Sequence, residues 1–242
     1  MNTIVATYSS RESEIKKLLS TMKFLEQMEQ VRDDSGESSF AKFFKSEELG
    51  LLSYQELINI LKSNISLMIY NLMEYTVANL VECIYSRIKM ERLSYVDINE
   101  GIQEIWRKIT LKTLKDPNAV HSTVIKKNEE IINSIVNKAT IELNYRDVIS
   151  AGNLDGEAIK RTFERHGLKI NTNNYRPFTL SAIKNKRNEL AHGAVSFVDA
   201  LRDKSLADIE NDFGVINCFL QDLMTETDGY IHKKMYKCNE LT

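Results

Sequence analysis

Apolar residues recur along this chain at spacings of three and four, the period of a helix that buries one face. From Ser13 to about Arg32 they fall at Ile15, Leu18, Leu19, Met22, Leu25 and Met28, predicting an N-terminal helix over about 13–32 that Asp33-Asp34-Ser35-Gly36 ends. After a short segment with Phe40, Phe43 and Phe44, Ser53 and Glu56 form a capping-box pattern. The period then runs through Leu57, Ile58, Leu61, Ile65, Met68, Ile69 and Leu72 to Ile88, predicting a long central helix with a break allowed near Ser63-Asn64. Ser94 and Asp97 open another pattern through Ile98, Ile102, Ile105, Trp106 and Ile109 that stops around Asp116-Pro117, because proline disfavours helix in the residue before it.

A further helix is predicted over Val124–Ile141 and a short one from the Gly152–Gly156 turn to His166, stopped by Gly167. Lys169 to Pro177 is a polar, Asn-rich connection, and Thr179 opens the next helix. Ser205 with Asp208 caps a last long one, striped by Leu206, Ile209, Phe213, Ile216, Phe219, Leu220 and Leu223. No fixed-period repeat interrupts this series, and the fold class it predicts is all-α, a bundle of helices joined by short loops.

Composition sharpens the picture. Only 9 Gly and 2 Pro in 242 residues are a poor supply of turns for a sheet protein. The formal net charge of -2 gives no global field for nucleic acid, so any such binding needs a local basic patch. Three widely separated cysteines, Cys83, Cys218 and Cys238, match neither a disulfide framework nor a zinc site. No run approaches the roughly 18 uninterrupted apolar residues of a membrane span, so no membrane partner and a reducing cytoplasm are expected.

Candidate chemistry is concentrated in Thr179–Phe197, TLSAIKNKRNELAHGAVSF, where Lys184, Lys186 and Arg187 precede Asn188 and His192. The bare spacing of Arg and His recurs at Arg161 and His166, and each His precedes a Gly, as ordinary helix-end capping would have it. Arg161 lacks a following Asn, so this second pair is read as a decoy.

The string Arg187-Asn188-Glu189-Leu190-Ala191-His192-Gly193 resembles the R-x4-6-H signature of HEPN domains, in their common form Arg-Asn, then an apolar residue and Ala-His-Gly. The resemblance extends to stand-alone bacterial HEPN proteins of nuclease type, through Tyr70-Asn71-Leu72-x-Glu74, GNLDGEAIKRTFERHGL from Gly152 to Leu168, Ser196-Phe197, and Ser205-Leu206 to Ile209. It implies a HEPN-like helical bundle that forms a two-fold homodimer, with Arg187 and His192 as catalytic residues of a metal-independent endoribonuclease. One domain over 1–242 is expected, with a core of about 53–93 and 178–235 and a helical insertion of about 94–172 in which substrate or partner choice is encoded.

The chemistry suits those residue types. Cleavage through the RNA 2′-OH needs a proton acceptor, a donor to the leaving 5′-oxygen and positive charge at phosphorus. An imidazole, with a reference pKa of about 6.5, can move the protons. A planar guanidinium can grip the phosphate through two hydrogen bonds. On a regular helix the two residues point about 140° apart, so one chain alone is thin equipment and two-fold pairing becomes part of the mechanism.

Asn188 can hydrogen-bond substrate or the twin helix, Lys184 and Lys186 supply charge, and Glu74 is a candidate partner for Arg187 if buried, or else marks an exposed stripe with Asn71. His121, His166 and His232 are not spaced as metal ligands; no metal and no cofactor are expected. Some HEPN toxins carry a Tyr two positions after the motif His, the target of AMP modification by their antitoxins; Ala194 stands there here. The expected function is thus an RNA-cleaving toxin or antiviral defence effector, restrained by an antitoxin or defence-system partner. The alternatives are a non-catalytic dimerisation and interaction module, and a nucleotide-binding sensor using the same basic cleft.

Overall fold

A computed structural model describes residues 1–32, 34, 36–44, 53–111, 121–150 and 152–238. Among these it contains eight α-helices and no strand: α1 Asn2–Gln30, α2 Ser39–Phe44, α3 Tyr54–Met90, α4 Glu100–Thr110, α5 His121–Val136, α6 Gly156–Arg165, α7 Pro177–Ala191 and α8 Leu206–His232. The all-α expectation holds. The chain divides into two compact units, with the division falling inside α3 after Glu74 and inside α8 after Leu220.

One unit comprises residues 2–74 and 176–220. Its central segment is the first half of α3, which begins where Ser53 and Glu56 predicted: Glu56 N–H donates to Ser53 Oγ (3.2 Å) and the Glu56 carboxylate accepts from Ser53 N–H (3.0 Å). Ile65, Ile69, Tyr70, Leu72 and Met73 are fully buried, and so are Ser63 and Ser66, as in a helix enclosed on several sides. The helix does not break at Ser63-Asn64. Ser63 Oγ donates to Phe197 O (2.7 Å) and Asn64 Nδ2 to Ile60 O (2.8 Å), so both side chains find acceptors while the backbone ladder continues.

In the same unit α1 starts at Asn2, eleven residues before the predicted Ser13. Ile4 and Tyr8 extend its buried stripe, and Tyr8 Oη donates to Asn217 Oδ1 on α8 (2.5 Å). Phe40 is buried against Tyr54, ring centroids 5.2 Å apart. The side chains of Phe43 and Phe44 lie outside the described residues, as do Asp33 and Ser35 of the predicted stop.

The other unit holds Met1, 75–175 and the chain from Gln221 onward. Here the Ser94–Asp97 capping pattern serves only a single 3-10 turn, and Asn99 caps α4, its Oδ1 accepting from Ile102 N–H (2.9 Å). Asn99 Nδ2 lies 3.0 Å from His166 O, 3.0 Å from Tyr230 Oη and 2.9 Å from Met235 O, so one amide joins the starts and ends of three helices. Gly101 lets α4 meet the end of α6: a Cβ there would lie 2.1 Å from Arg165 O. The predicted stop at Asp116-Pro117 falls outside the described residues, and α5 ends at Val136, short of Ile141. The residues after α8 are clamped on Glu91, which accepts from Tyr236 Oη (2.6 Å) and pairs with Lys237 (2.6 Å); these bonds hold its carboxyl down at about 2.

Candidate functional site

The motif helix α7 begins at Pro177, two residues before Thr179, with proline in the first turn where its missing N–H costs nothing. Leu180, Ile183 and Leu190 are its buried side chains. Arg187 is four residues after Ile183 and three before Leu190, so it belongs to the same inward stripe. A cation on an apolar stripe needs compensation, and Arg187 has it: the guanidinium carbon sits 5.0 Å from the centroid of the buried Tyr70 ring on α3. Its Nη1 also donates to Asn188 Oδ1 (3.0 Å). Arg187 is therefore half-buried with its planar group held from two sides.

His192 is the C-cap residue of α7, its N–H donating to Asn188 O (3.0 Å). Gly193 follows at φ +68°, Gly193 N–H donates to Leu190 O (3.2 Å) and Ala194 N–H to Glu189 O (2.9 Å), the paired bonds of a Schellman ending. The helix thus stops at His192 and leaves its imidazole exposed, with nothing within 4 Å of where a Gly193 Cβ would stand. Among the described residues no hydrogen bond joins Arg187 to His192. The inward stripe carries one and the open helix end the other.

The remaining predicted residues surround this pair unevenly. Asn188 shares a bond with Arg187. Lys186 is half-buried and paired with Glu189 at 2.7 Å, one helical turn on, while Lys184 lies half-buried one turn before Asn188. Asn71 is exposed and Glu74 half-buried on α3. The ring of Tyr70, four residues before Glu74, is the α3 group that Arg187 stacks on. Sequence reasoning assigned Tyr70 no contact with Arg187. Its one signal was position, at the head of the Tyr70–Glu74 run.

The second Arg and His pair has a different setting. His166 is fully buried. Its Nδ1 lies 2.6 Å from Thr162 O, a pure acceptor, so Nδ1 carries the proton and Nε2 accepts from Tyr85 Oη at 2.8 Å. Burial pushes this imidazole down to about 4. Arg161 is exposed. The decoy is a satisfied core histidine. Among the described residues no group of three His, Cys, Asp or Glu is placed to hold a metal ion.

An all-helical chain whose motif helix closes on Arg-Asn-x-x-Ala-His-Gly is a HEPN domain protein. It belongs to the MAE_28990-like HEPN family, whose model matches residues 1–236. Domains of the HEPN class include many ribonucleases and toxin-type modules, and commonly dimerise and bind RNA. No curated protein and no solved structure matches the chain. Among the described residues no helix is long and apolar enough to cross a membrane.

Proposed function

We propose that this protein is a metal-independent endoribonuclease acting as a toxin or antiviral effector, with Arg187 and His192 as its catalytic residues. The observation that carries this reading is the split environment of the pair. A guanidinium fixed by Tyr70 and Asn188 loses little freedom when it takes a phosphate. An imidazole at an open helix end can reach a substrate proton. In the reaction the 2′-oxygen bonds to phosphorus as its proton passes to an imidazole. The bond from phosphorus to O5′ breaks as an imidazolium protonates it, leaving a 2′,3′-cyclic phosphate and a 5′-OH. Arg187 holds the charge that grows on the non-bridging oxygens.

A two-fold dimer supplies the second Arg and His that this exchange uses, with Lys184 and Lys186 lending charge along the RNA backbone. Residues 94–172 select the RNA or the restraining partner; an unchanged cleavage preference after exchange of that segment counts against this. Growth on induced expression tests the whole reading. Arg187→Ala and His192→Ala each relieve toxicity while the dimer persists. Toxicity that persists unchanged in both variants rejects the nuclease, and loss of the dimer on His192→Ala points instead to an interaction module.

A further inference from the structure

Five helices of this chain end in the same hydrogen-bonded turn, the Schellman ending, whose C′ residue takes a positive φ. Helices α6 and α7 use glycine there, Gly167 and Gly193. Helices α3, α5 and α8 use a cation. Arg92 has φ +54°, Lys138 +48° and Lys234 +52°, the only positive φ values outside glycine among the described residues. The paired bonds are formed in each: Arg92 N–H donates to Lys89 O and Leu93 N–H to Ile88 O, Lys138 N–H to Ile135 O and Ala139 N–H to Ser134 O, Lys234 N–H to Ile231 O and Met235 N–H to Tyr230 O. The left-handed conformation costs a residue with a Cβ more than attraction to an exposed helix C-terminus returns to a cation. Stability alone favours Gly or Asn at all three turns.

The three cations are also neighbours, all in the unit that holds 75–175 and the chain from Gln221 onward. Ile141 N–H donates to Leu93 O (3.0 Å), tying the chain after α5 to the end of α3. Glu91 pairs with Lys234 (3.4 Å) and Lys237 (2.6 Å), tying in the end of α8. Hydrogen bonds from Ser94, and after them the charges of Lys138 and Lys237, hold the Asp97 carboxyl below its usual range, so both lysines stand near one carboxylate. Over residues 87–97, 138–142 and 232–238 there are seven cations and three acids, a net charge of +4 in a chain of net charge -2. The rest of the chain therefore carries -6. This is a local basic patch of the kind that an acidic chain needs in order to hold nucleic acid, and Arg187 and His192 belong to the other unit.

We infer that these converging helix ends are a second RNA contact, which grips the phosphate backbone independently of sequence. The inference rests on the proposed RNA cleavage only for the identity of the polymer. Glu91 answers Lys234 and Lys237, and Lys89 reaches Glu142 at 3.7 Å. Arg87, Arg92, Lys138 and Lys233 are exposed and form no ion pair among the described residues, so they are open to phosphates. Bases find no platform here: Tyr236 is buried, and Tyr95 packs on Trp106 with ring centroids 5.2 Å apart. Contacts to phosphate alone carry no sequence information. Met90 and Met235, exposed among the cations, would also suit an acidic protein, and the test separates the two.

Anisotropy of a fluorescein-labelled RNA of about 20 nucleotides, titrated with the full-length His192→Ala protein in EDTA over a salt series, reads this contact without cleavage. Adding Arg87→Gln, Arg92→Gln and Lys233→Gln is expected to weaken binding by about tenfold and to flatten the log-log salt slope by about two. Lys16→Gln, Lys17→Gln and Lys23→Gln on α1 remove the same charge and are expected to change affinity by less than about twofold. Equal losses in the two triples would reduce the patch to net charge, and unchanged affinity in the first would leave it to an acidic protein; either overturns the inference. Lysine acetylation of the His192→Ala protein gives a second reading that needs no substitution in the patch. RNA is expected to protect Lys89, Lys138 and Lys233 from the reagent, and protection confined to Lys184 and Lys186 overturns the inference. Protection of the patch by RNA that the wild type does not cleave would reject the nuclease and leave this contact standing.

Discussion

At the residue scale Arg187 and Asn99 show what a single side chain can settle. Arg187 occupies a core-facing position that Leu or Ile would fill in an ordinary bundle helix, and the Tyr70 face makes that position tolerable for a cation. Lysine, a point charge without the planar fork, keeps the charge and loses the geometry. Arg187→Lys is therefore expected to lower kcat by about a hundredfold with little change in folding, measured by single-turnover RNA cleavage and thermal melts. Tyr70→Leu removes the ring but not the Arg and is expected to lower kcat more than it raises KM; equal effects on both would make Tyr70 a packing residue only. Asn99→Ala strips a cap and an amide with carbonyl and hydroxyl partners, and a loss of about 2–3 kcal/mol is expected in denaturant unfolding.

His166 carries the pH dependence. Its folded-state value of about 4 lies below the ordinary 6.5, so the unfolded chain binds the proton more readily. The stability it contributes is present above pH 6.5 and is lost as pH falls from 6.5 toward 4, by about 3 kcal/mol in all. His166→Gln should flatten the slope of unfolding free energy against pH in that window. An unchanged slope would mean that other groups dominate it. The exposed His192 and buried His166 share one spacing in sequence, and only the neighbouring Asn188 distinguished them before the fold was in view.

At the element scale, local chemistry marked the long helices well. The Ser53/Glu56 and Ser205/Asp208 boxes lie where α3 and α8 begin, because a cap is satisfied within four residues and needs nothing distant. The start of α1 was not legible in the same way. Its first turns, NTIVATYSSRE, have few apolar residues, and Tyr8 is held by Asn217, more than two hundred positions away. The Ser63-Asn64 break failed for a similar reason, since the acceptor for Ser63 is Phe197 O. Gly101 was invisible too, as its role depends on the α6 carbonyl of Arg165. Gly101→Ala must push these backbones apart, and a melting temperature lowered by several degrees is expected, whereas Gly214→Ala, with nothing within 4 Å, should cost no stability.

At the scale of the whole molecule, the helical fold and its family follow from pattern and motif together, while the arrangement of the site required contacts. The sequence placed Arg187 and His192 about 140° apart, and in the structure the first faces inward and the second stands at an exposed helix end. Two chains are then expected to share one cleft. Mixing wild type with an excess of inactive His192→Ala should poison cleavage, through heterodimers that lack the second His. Activity simply proportional to the wild-type chains present would confine the chemistry to a single chain.

The most direct test is cleavage of total cellular RNA by purified protein in excess EDTA, with His192→Ala alongside and the new ends mapped. Cutting by the wild type alone, leaving 2′,3′-cyclic phosphate and 5′-OH ends, is the predicted result. Cutting that needs added metal, or that persists in His192→Ala, would contradict it.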